Sequence, residues 1–398
     1  MERAELTALL TADGLRLVDE LGAIDSADDV ARTVSRLRAA GLSPELVSAA
    51  VGQARLRTRA RAKFGEFADR MLFTRAGLEQ ATRLSIAARH AGRFRDAGVR
   101  RVADLGCGIG GDALALAGIG LEVLAVDADE TTAALAAYNL APFGDAATVR
   151  HARAEEVPLD GIDAVWLDPA RRTAGHAETA RLGAADWSPS LDWVFPLAAR
   201  MPAGIKLGPA FDRALIPDDP AGVEAQWISV DGSTIELVLW TGALARPGVR
   251  RAALVLRAGA ASELTADADA PDAEVRPLGR FVHEPEGAVI RARLIGEVAR
   301  RLDAGMLAPG IAYLTSDAEA TSPFVQTFRV REQLPTDVKA LARALREREI
   351  GTLEIKKRGV DVDPAALRTK LKLRGPGTAT LILTRAGTLR VAVLADRV

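Results

Sequence analysis

Apolar residues recur along this chain with two different periods. Over the first 60 residues Leu6, Leu9, Leu10, Leu15 and Leu17 form a helical stripe, Ser26 suits a helix N-cap, and Ser43-Pro44 opens a further helix. From residue 101 the pattern changes. Short, mainly apolar runs at 102–105, 121–126, 148–150, 162–167 and 203–207 alternate with helical stretches such as 112–116 and 130–140. Such runs mark strands buried on both faces, and helices between them imply a parallel sheet. Runs at 227–230, 234–240 and 251–256 follow, the first two joined by the hairpin signal Asp231-Gly232. They read as antiparallel strands closing the sheet. Residues 260–276, rich in Ala, Asp and Pro, read as a linker. Beyond it, strand, helix, strand and a helix with Pro364 in its first turn lead to a hairpin over 378–383 and 389–394. The expected organisation is a helical region over 1–95, an α/β domain over 96–259, a linker and connecting segment over 260–320, and a small α/β domain over 321–398.

Composition sharpens this picture in three places. At 398 residues and 48% hydrophobic content the chain builds a sizeable core, and the length suits two or three domains at about 100–200 residues each. No apolar run approaches the roughly 18 residues of a membrane span, and the opening MERAELTALL has no signal-peptide pattern. A cytoplasmic protein without a membrane partner is expected. The single cysteine, Cys107, excludes an intrachain disulfide and a cysteine zinc cluster, and His90, His151, His176 and His283 show no ligand spacing, so no metal is expected. Charge is uneven. Residues 1–95 carry 16 basic and 12 acidic side chains, residues 96–320 carry 20 and 33, and residues 321–398 carry 16 and 8. An acidic centre with a basic tail points to a polyanion met by the ends of the chain.

The chemistry begins at Asp104-Leu105-Gly106-Cys107-Gly108-Ile109-Gly110-Gly111. Strand, glycine turn, helix and a second strand ending in Asp127 describe a nucleotide-binding βαβ unit. Glycines admit close backbone approach to a ligand, and Asp127 can accept hydrogen bonds from ribose hydroxyls. Gly106, Gly108 and Gly111 also fit a dinucleotide fingerprint. Asp104 tilts the reading, because a carboxylate there suits a cationic amino-acid end and repels pyrophosphate. This stretch resembles motif I of class I S-adenosylmethionine-dependent methyltransferases. After the fourth run comes Asp168-Pro169-Ala170-Arg171-Arg172, which resembles motif IV of the members that methylate exocyclic amines, with Ala170 in place of a second proline and no aromatic after it.

The whole arrangement, including FTRAGLEQAT before the glycine turn, LDPARR, IKLGP and the terminal IKKRG and KLKLRGPG, resembles a bacterial class I methyltransferase family with a C-terminal THUMP-like domain. The resemblance implies an α/β fold: a Rossmann-like seven-stranded sheet, an N-terminal helical region and a small C-terminal α/β THUMP-like domain. It implies S-adenosyl-L-methionine as cofactor, with Asp104, Gly106, Gly108, Gly110 and Asp127 around it and Glu155 or Glu156 at the adenine. Asp168 and the Pro169 carbonyl would orient an acceptor nitrogen, while Arg171, Arg172 and Lys206 would meet the substrate or tune the acid. It further implies RNA, tRNA or rRNA, as partner, through the basic residues Lys356, Lys357, Arg358, Arg368, Lys370, Lys372 and Arg374. Two alternatives stand beside it. Asp168, Lys206 and Glu236 follow the order of a ribose 2′-O-methylating set, whose first lysine only Lys63, or Arg75 or Arg83 in its stead, could supply. The other is a non-catalytic RNA-binding protein on the same scaffold. C5 methylation of a pyrimidine is disfavoured, since it needs a thiolate and Cys107 lies inside the glycine turn.

Overall fold

A computed structural model describes residues 3–171, 187–218 and 222–398. The chain forms two compact units, one of Met1–Leu207, Pro217–Val223 and Leu239–Ala245, the other of Gly208–Ile216, Glu224–Val238 and Arg246–Val398.

The first unit opens with α1 (Arg3–Leu9), α2 (Ala12–Leu21), α3 (Ala27–Ala39) and the 21-residue α4 (Pro44–Phe64). Ser26 caps α3 in a capping box with Asp29, and Ser43 with Pro44 starts α4, as their sequences indicate. Then come α5 (Arg75–Gln80), α6 (Leu84–Asp96), β1 (Arg101–Leu105), α7 (Gly111–Gly118), β2 (Glu122–Asp127), α8 (Glu130–Leu140), β3 (Ala147–His151), β4 (Ala164–Leu167), β5 (Ala170–Arg171), β6 (Trp187–Ser188), α9 (Leu191–Ala198) and β7 (Ala203–Leu207). The strands β7, β4, β1, β2 and β3 lie side by side in that order, all parallel, with Arg101–Leu105 in register against Glu122–Val126. β1 and β4 are buried almost throughout, which is why both read as apolar runs, interrupted in β1 only by Asp104 within 102–105. The end of β9 (Ser233–Trp240), Leu239 and Trp240, belongs to this unit beside β7. Gly204 of β7 makes room there: a Cβ would stand 2.6 Å from the Trp166 ring and 2.7 Å from the Trp240 ring.

The second unit contains β8 (Glu224–Val230), the rest of β9, β10 (Arg251–Arg257), β11 (Ala260–Ala266), β12 (Phe281–Pro285), α10 (Gly287–Arg291), α11 (Ile295–Arg301), β13 (Gly305–Ala308), β14 (Ile311–Ser316), β15 (Val325–Leu334), α12 (Val338–Glu347), β16 (Ile350–Lys357), α13 (Pro364–Leu371), β17 (Gly377–Ala386) and β18 (Leu389–Arg397). Asp231 and Gly232 turn β8 into β9, both at positive φ. β10 corrects the expectation of an antiparallel strand. A hairpin partner ends where β8 begins, so a short connection from β9 starts β10 parallel to β8 on its other edge. Residues 260–320, read as linker and connecting segment, hold four strands and two helices. β11 escaped the pattern because it is an edge strand whose only fully buried apolar side chain is Leu264. A second sheet runs β13-β14-β12-β15-β18-β17-β16. Leu341, Leu345, Leu367 and Leu371 of α12 and α13 pack with Leu353, Leu381 and Leu394 in one core beside it. Val282, Tyr313, Phe328, Ile382 and Val393 make another. Among the described residues, no helix is long and apolar enough to cross a membrane.

Candidate active site

The glycine turn is held by its own backbone. The N–H groups of Gly106 and Cys107 both donate to Val126 O at 2.9 Å, tying the end of β1 to β2. Gly106, Gly108 and Gly110 have φ of 101°, 55° and 85°, where side chains other than glycine are strained. Gly110 is the N-cap of α7, and among the described residues a Cβ on Gly108 would meet nothing within 4 Å, so this side of the turn is open to them. Gly111, the glycine that a dinucleotide fingerprint needs, instead lies by Phe64: a Cβ there would stand 3.5 Å from the ring. Asp127 accepts from Gly108 N–H at 3.0 Å and from Asp129 N–H at 2.9 Å, one on each carboxylate oxygen. Each oxygen retains a second lone pair.

Asp104 is 1% exposed, and among the described residues neither of its carboxyl oxygens has a hydrogen-bond partner. Burial first, then the charges of Asp112 and Asp168, push its pKa well above the ordinary range, with Lys206 opposing. A buried acid without a donor is costly. A cationic ligand group supplies what it lacks. The open glycine turn beside this acid therefore fits a molecule that is both a nucleoside and an amino acid.

Asp168 follows β4, and its carbonyl oxygen lies 3.3 Å from where a Gly106 Cβ would be. The glycine turn and the Asp168-Pro169 stretch thus meet. Lys206 of β7 brings Nζ to 2.5 Å from Asp168 Oδ2. Pro169 is buried, and Ala170 and Arg171 form β5, paired antiparallel with Ser188 and Trp187 of β6. Trp187 is 4% exposed and packs inside. Arg172 and His176 lie outside the described residues.

FTRAGLEQAT packs against the turn. The extended backbone at Leu72 and Phe73 is gripped from both sides by buried amides: Gln53 exchanges two hydrogen bonds with Phe73, and Asn139 exchanges two with Leu72. Asn139 Nδ2 also donates to Ile109 O at 2.9 Å, so one side chain joins this segment to the glycine turn. Gly77 approaches Ile109 so closely that a Cβ would stand 2.6 Å from its Cγ2. Lys63 donates to the carbonyls of Leu78, Glu79 and Ala81 at 2.7–2.8 Å, closing the end of α5.

Three residues join the site that their spacing does not announce. Thr82 Oγ1 donates to Asp112 Oδ2 at 2.8 Å and accepts from Lys206 Nζ at 3.0 Å, and His90 Nδ1 stands 3.0 Å from Asp112 Oδ1. The His90 ring packs on Trp166, with centroids 4.5 Å apart. Burial opposes the charge on Asp112, yet the His90 hydrogen bond, Lys206 and Thr82 hold its pKa below the ordinary value. The only advance signal is polarity inside apolar helical stretches.

Glu155 pairs with Arg153 at 3.2 Å. Glu236 is buried and counts with the second unit. Cys107 is buried, and burial, Asp104 and Asp127 push its thiol well up, which suits a thiolate nucleophile poorly. In the second unit, Lys356 pairs with Glu284 at 2.5 Å, while Lys357, Arg368, Lys370, Lys372 and Arg374 are exposed. Among the described residues, no group of three or more His, Cys, Asp and Glu side chains stands where it could hold a metal ion.

Residues 103–170 match a family described as a methyltransferase domain, residues 325–397 one described as THUMP domain-like, and residues 2–60 a domain of unknown function. Over 338 residues the chain is 36% identical to a protein of Mycobacterium tuberculosis CDC 1551 / Oshkosh named as an uncharacterized S-adenosylmethionine-dependent methyltransferase, covering 83% of this chain and 91% of that one. The figures are the same for the protein so named in strain H37Rv. A crystal structure from Porphyromonas gingivalis W83, described as a methyltransferase, superimposes with a TM-score of 0.71 at 20% identity, covering 94% of this chain and 99% of that one, and shares the fold. The chain belongs to the class I S-adenosylmethionine-dependent methyltransferases, carries a THUMP-like domain at residues 325–397, and takes S-adenosyl-L-methionine as its cofactor.

Proposed function

We propose that the enzyme methylates an exocyclic nitrogen of a base in RNA, of the tRNA or rRNA class. The observation that carries this reading is the meeting of Asp168 with Gly106, which puts the acceptor stretch against the turn that faces the methyl donor. Bound cofactor supplies an electrophilic methyl group on a sulfonium. Asp104 takes its ammonium end, Gly106, Gly108 and Gly110 border the chain, Asp127 holds the ribose, and Glu155 lies toward the adenine. Asp168 accepts a hydrogen bond from the acceptor amine and turns the nitrogen lone pair toward the methyl group. Pro169 offers a carbonyl as a second acceptor and has no N–H to compete. Lys206 balances the charge of Asp168, and Arg171 meets the substrate. The rate comes mostly from positioning, because the methyl donor is already activated.

The exposed Lys357, Arg368, Lys370, Lys372 and Arg374 of the THUMP-like domain bind the RNA phosphates. The ribose alternative draws support from the Lys206–Asp168 pair, but the three Lys63 N–H bonds are already given to carbonyls, which weighs against it. Asp168→Ala should lower methyl transfer to RNA by about a hundredfold or more, while calorimetry shows S-adenosylmethionine binding retained. Loss of both together would overturn the role given to Asp168.

A further inference from the structure

We propose that Thr82, Asp112 and His90 are positioning residues that hold Lys206 on Asp168 and so keep the acceptor acid ionised; this rests on reading Asp168 as that acid. The chain of contacts has a fixed polarity. A threonine hydroxyl has one proton, and here it goes to Asp112, at 2.8 Å, leaving the oxygen lone pair to receive Lys206 at 3.0 Å. Lys206 then points a second N–H at Asp168, 2.5 Å away. Behind Asp112 stands His90, 3.0 Å away and packed on Trp166. Thr82, Asp112 and His90 are 6%, 8% and 2% exposed, so water does not substitute for a lost partner.

The need for such a brace follows from the charges. Asp104 from β1, Asp112 from α7 and Asp168 after β4 surround a single ammonium, Lys206. Lys63 from α4, itself near Arg83, repels that ammonium. Asp127 from β2 adds a further negative charge around Asp104. Lys206 therefore has several carboxylates to choose among. The Thr82 oxygen fixes one of its N–H directions, and Asp168 receives another. Thr82 directly follows the FTRAGLEQA segment packed on the glycine turn, so the brace also ties that segment to the acceptor acid.

The test uses the full chain, tritiated S-adenosylmethionine and total RNA from cells lacking the gene. Thr82→Val keeps the shape and removes the hydroxyl. It should lower transfer by about tenfold and move the acid limb of the pH–rate profile to higher pH, because an acid that loses a nearby cation ionises later. Thr82→Ser should restore both, and S-adenosylmethionine affinity should stay within about twofold throughout. Thr82→Ala, read the same way, serves if the valine variant fails to fold. Unchanged rate and unchanged acid limb in a folded Val or Ala variant would overturn the brace. Full transfer by Asp168→Ala would instead overturn the reading of Asp168, whatever Thr82 does.

Discussion

On the proposed reading of the site, cofactor binding and stability pull in opposite directions at Asp104. In the free protein, burial and the neighbouring carboxylates raise its pKa well above the usual carboxylate range. A folded pKa above the unfolded one means that the native state binds the extra proton. Stability is then full at low pH and falls as pH rises from the unfolded pKa toward the folded one. The ammonium of S-adenosylmethionine reverses the preference, so binding expels a proton and affinity rises with pH until Asp104 is ionised in the free protein. Asp104→Asn should therefore weaken binding by about tenfold or more, flatten its pH dependence, and raise the melting temperature at neutral pH. Calorimetry in two buffers of different ionisation enthalpy, with a thermal melt, reads all three. Asp104, Asp127 and Asp168 were legible in the sequence because each carboxylate ends an apolar strand, and strand ends of a parallel sheet gather at one edge. Thr82, His90 and Asp112 were not. Thr82 and His90 precede Asp112 by 30 and 22 residues and reach it only when α6 packs on α7.

Asn139 shows how one side chain makes an element part of the site. It lies in α8, yet its three hydrogen bonds go to Leu72 N–H, Leu72 O and Ile109 O. Asn139→Ala leaves these buried groups without partners, and at roughly 1–3 kcal/mol each the loss should reach about 3 kcal/mol or more. Urea unfolding measures it, and a change below about 0.5 kcal/mol would contradict the role. Most elements were readable from period and punctuation alone. Pro364 opens α13, Asp231-Gly232 turns β8 into β9, and the apolar runs of β1 and β4 are buried strands. β11 was not readable, since an edge strand with one buried leucine has the composition of a linker. The direction of β10 was not readable either, because it depends on which edge of β8 stood open.

At the scale of the molecule, charge is divided by segment, but the structure divides it again. The excess of eight basic over acidic side chains in residues 321–398 is partly taken up by ion pairs to acids that precede the stretch, as in Lys356–Glu284 and Arg329–Glu319. Among the exposed basic side chains that remain to meet a polyanion are Lys357, Lys370, Lys372 and Arg374. Replacing these four by alanine should weaken RNA binding and lower the slope of log affinity against log salt. On single-stranded RNA the slope should fall by about 0.7 for each phosphate that is no longer neutralised. Fluorescence anisotropy across a salt series measures it, with S-adenosylmethionine affinity as the control that must not change.

The site's assignment stands or falls on the passage of the methyl group to a base nitrogen of RNA. The direct test incubates the protein with RNA from cells lacking the gene and S-adenosylmethionine carrying a trideuterated methyl group, followed by mass spectrometry of the digested nucleosides. The heavy methyl is expected on an exocyclic base nitrogen, and is expected to be absent when Asp168 is replaced by alanine. A heavy methyl on the ribose, or none on any nucleoside, would contradict the assignment.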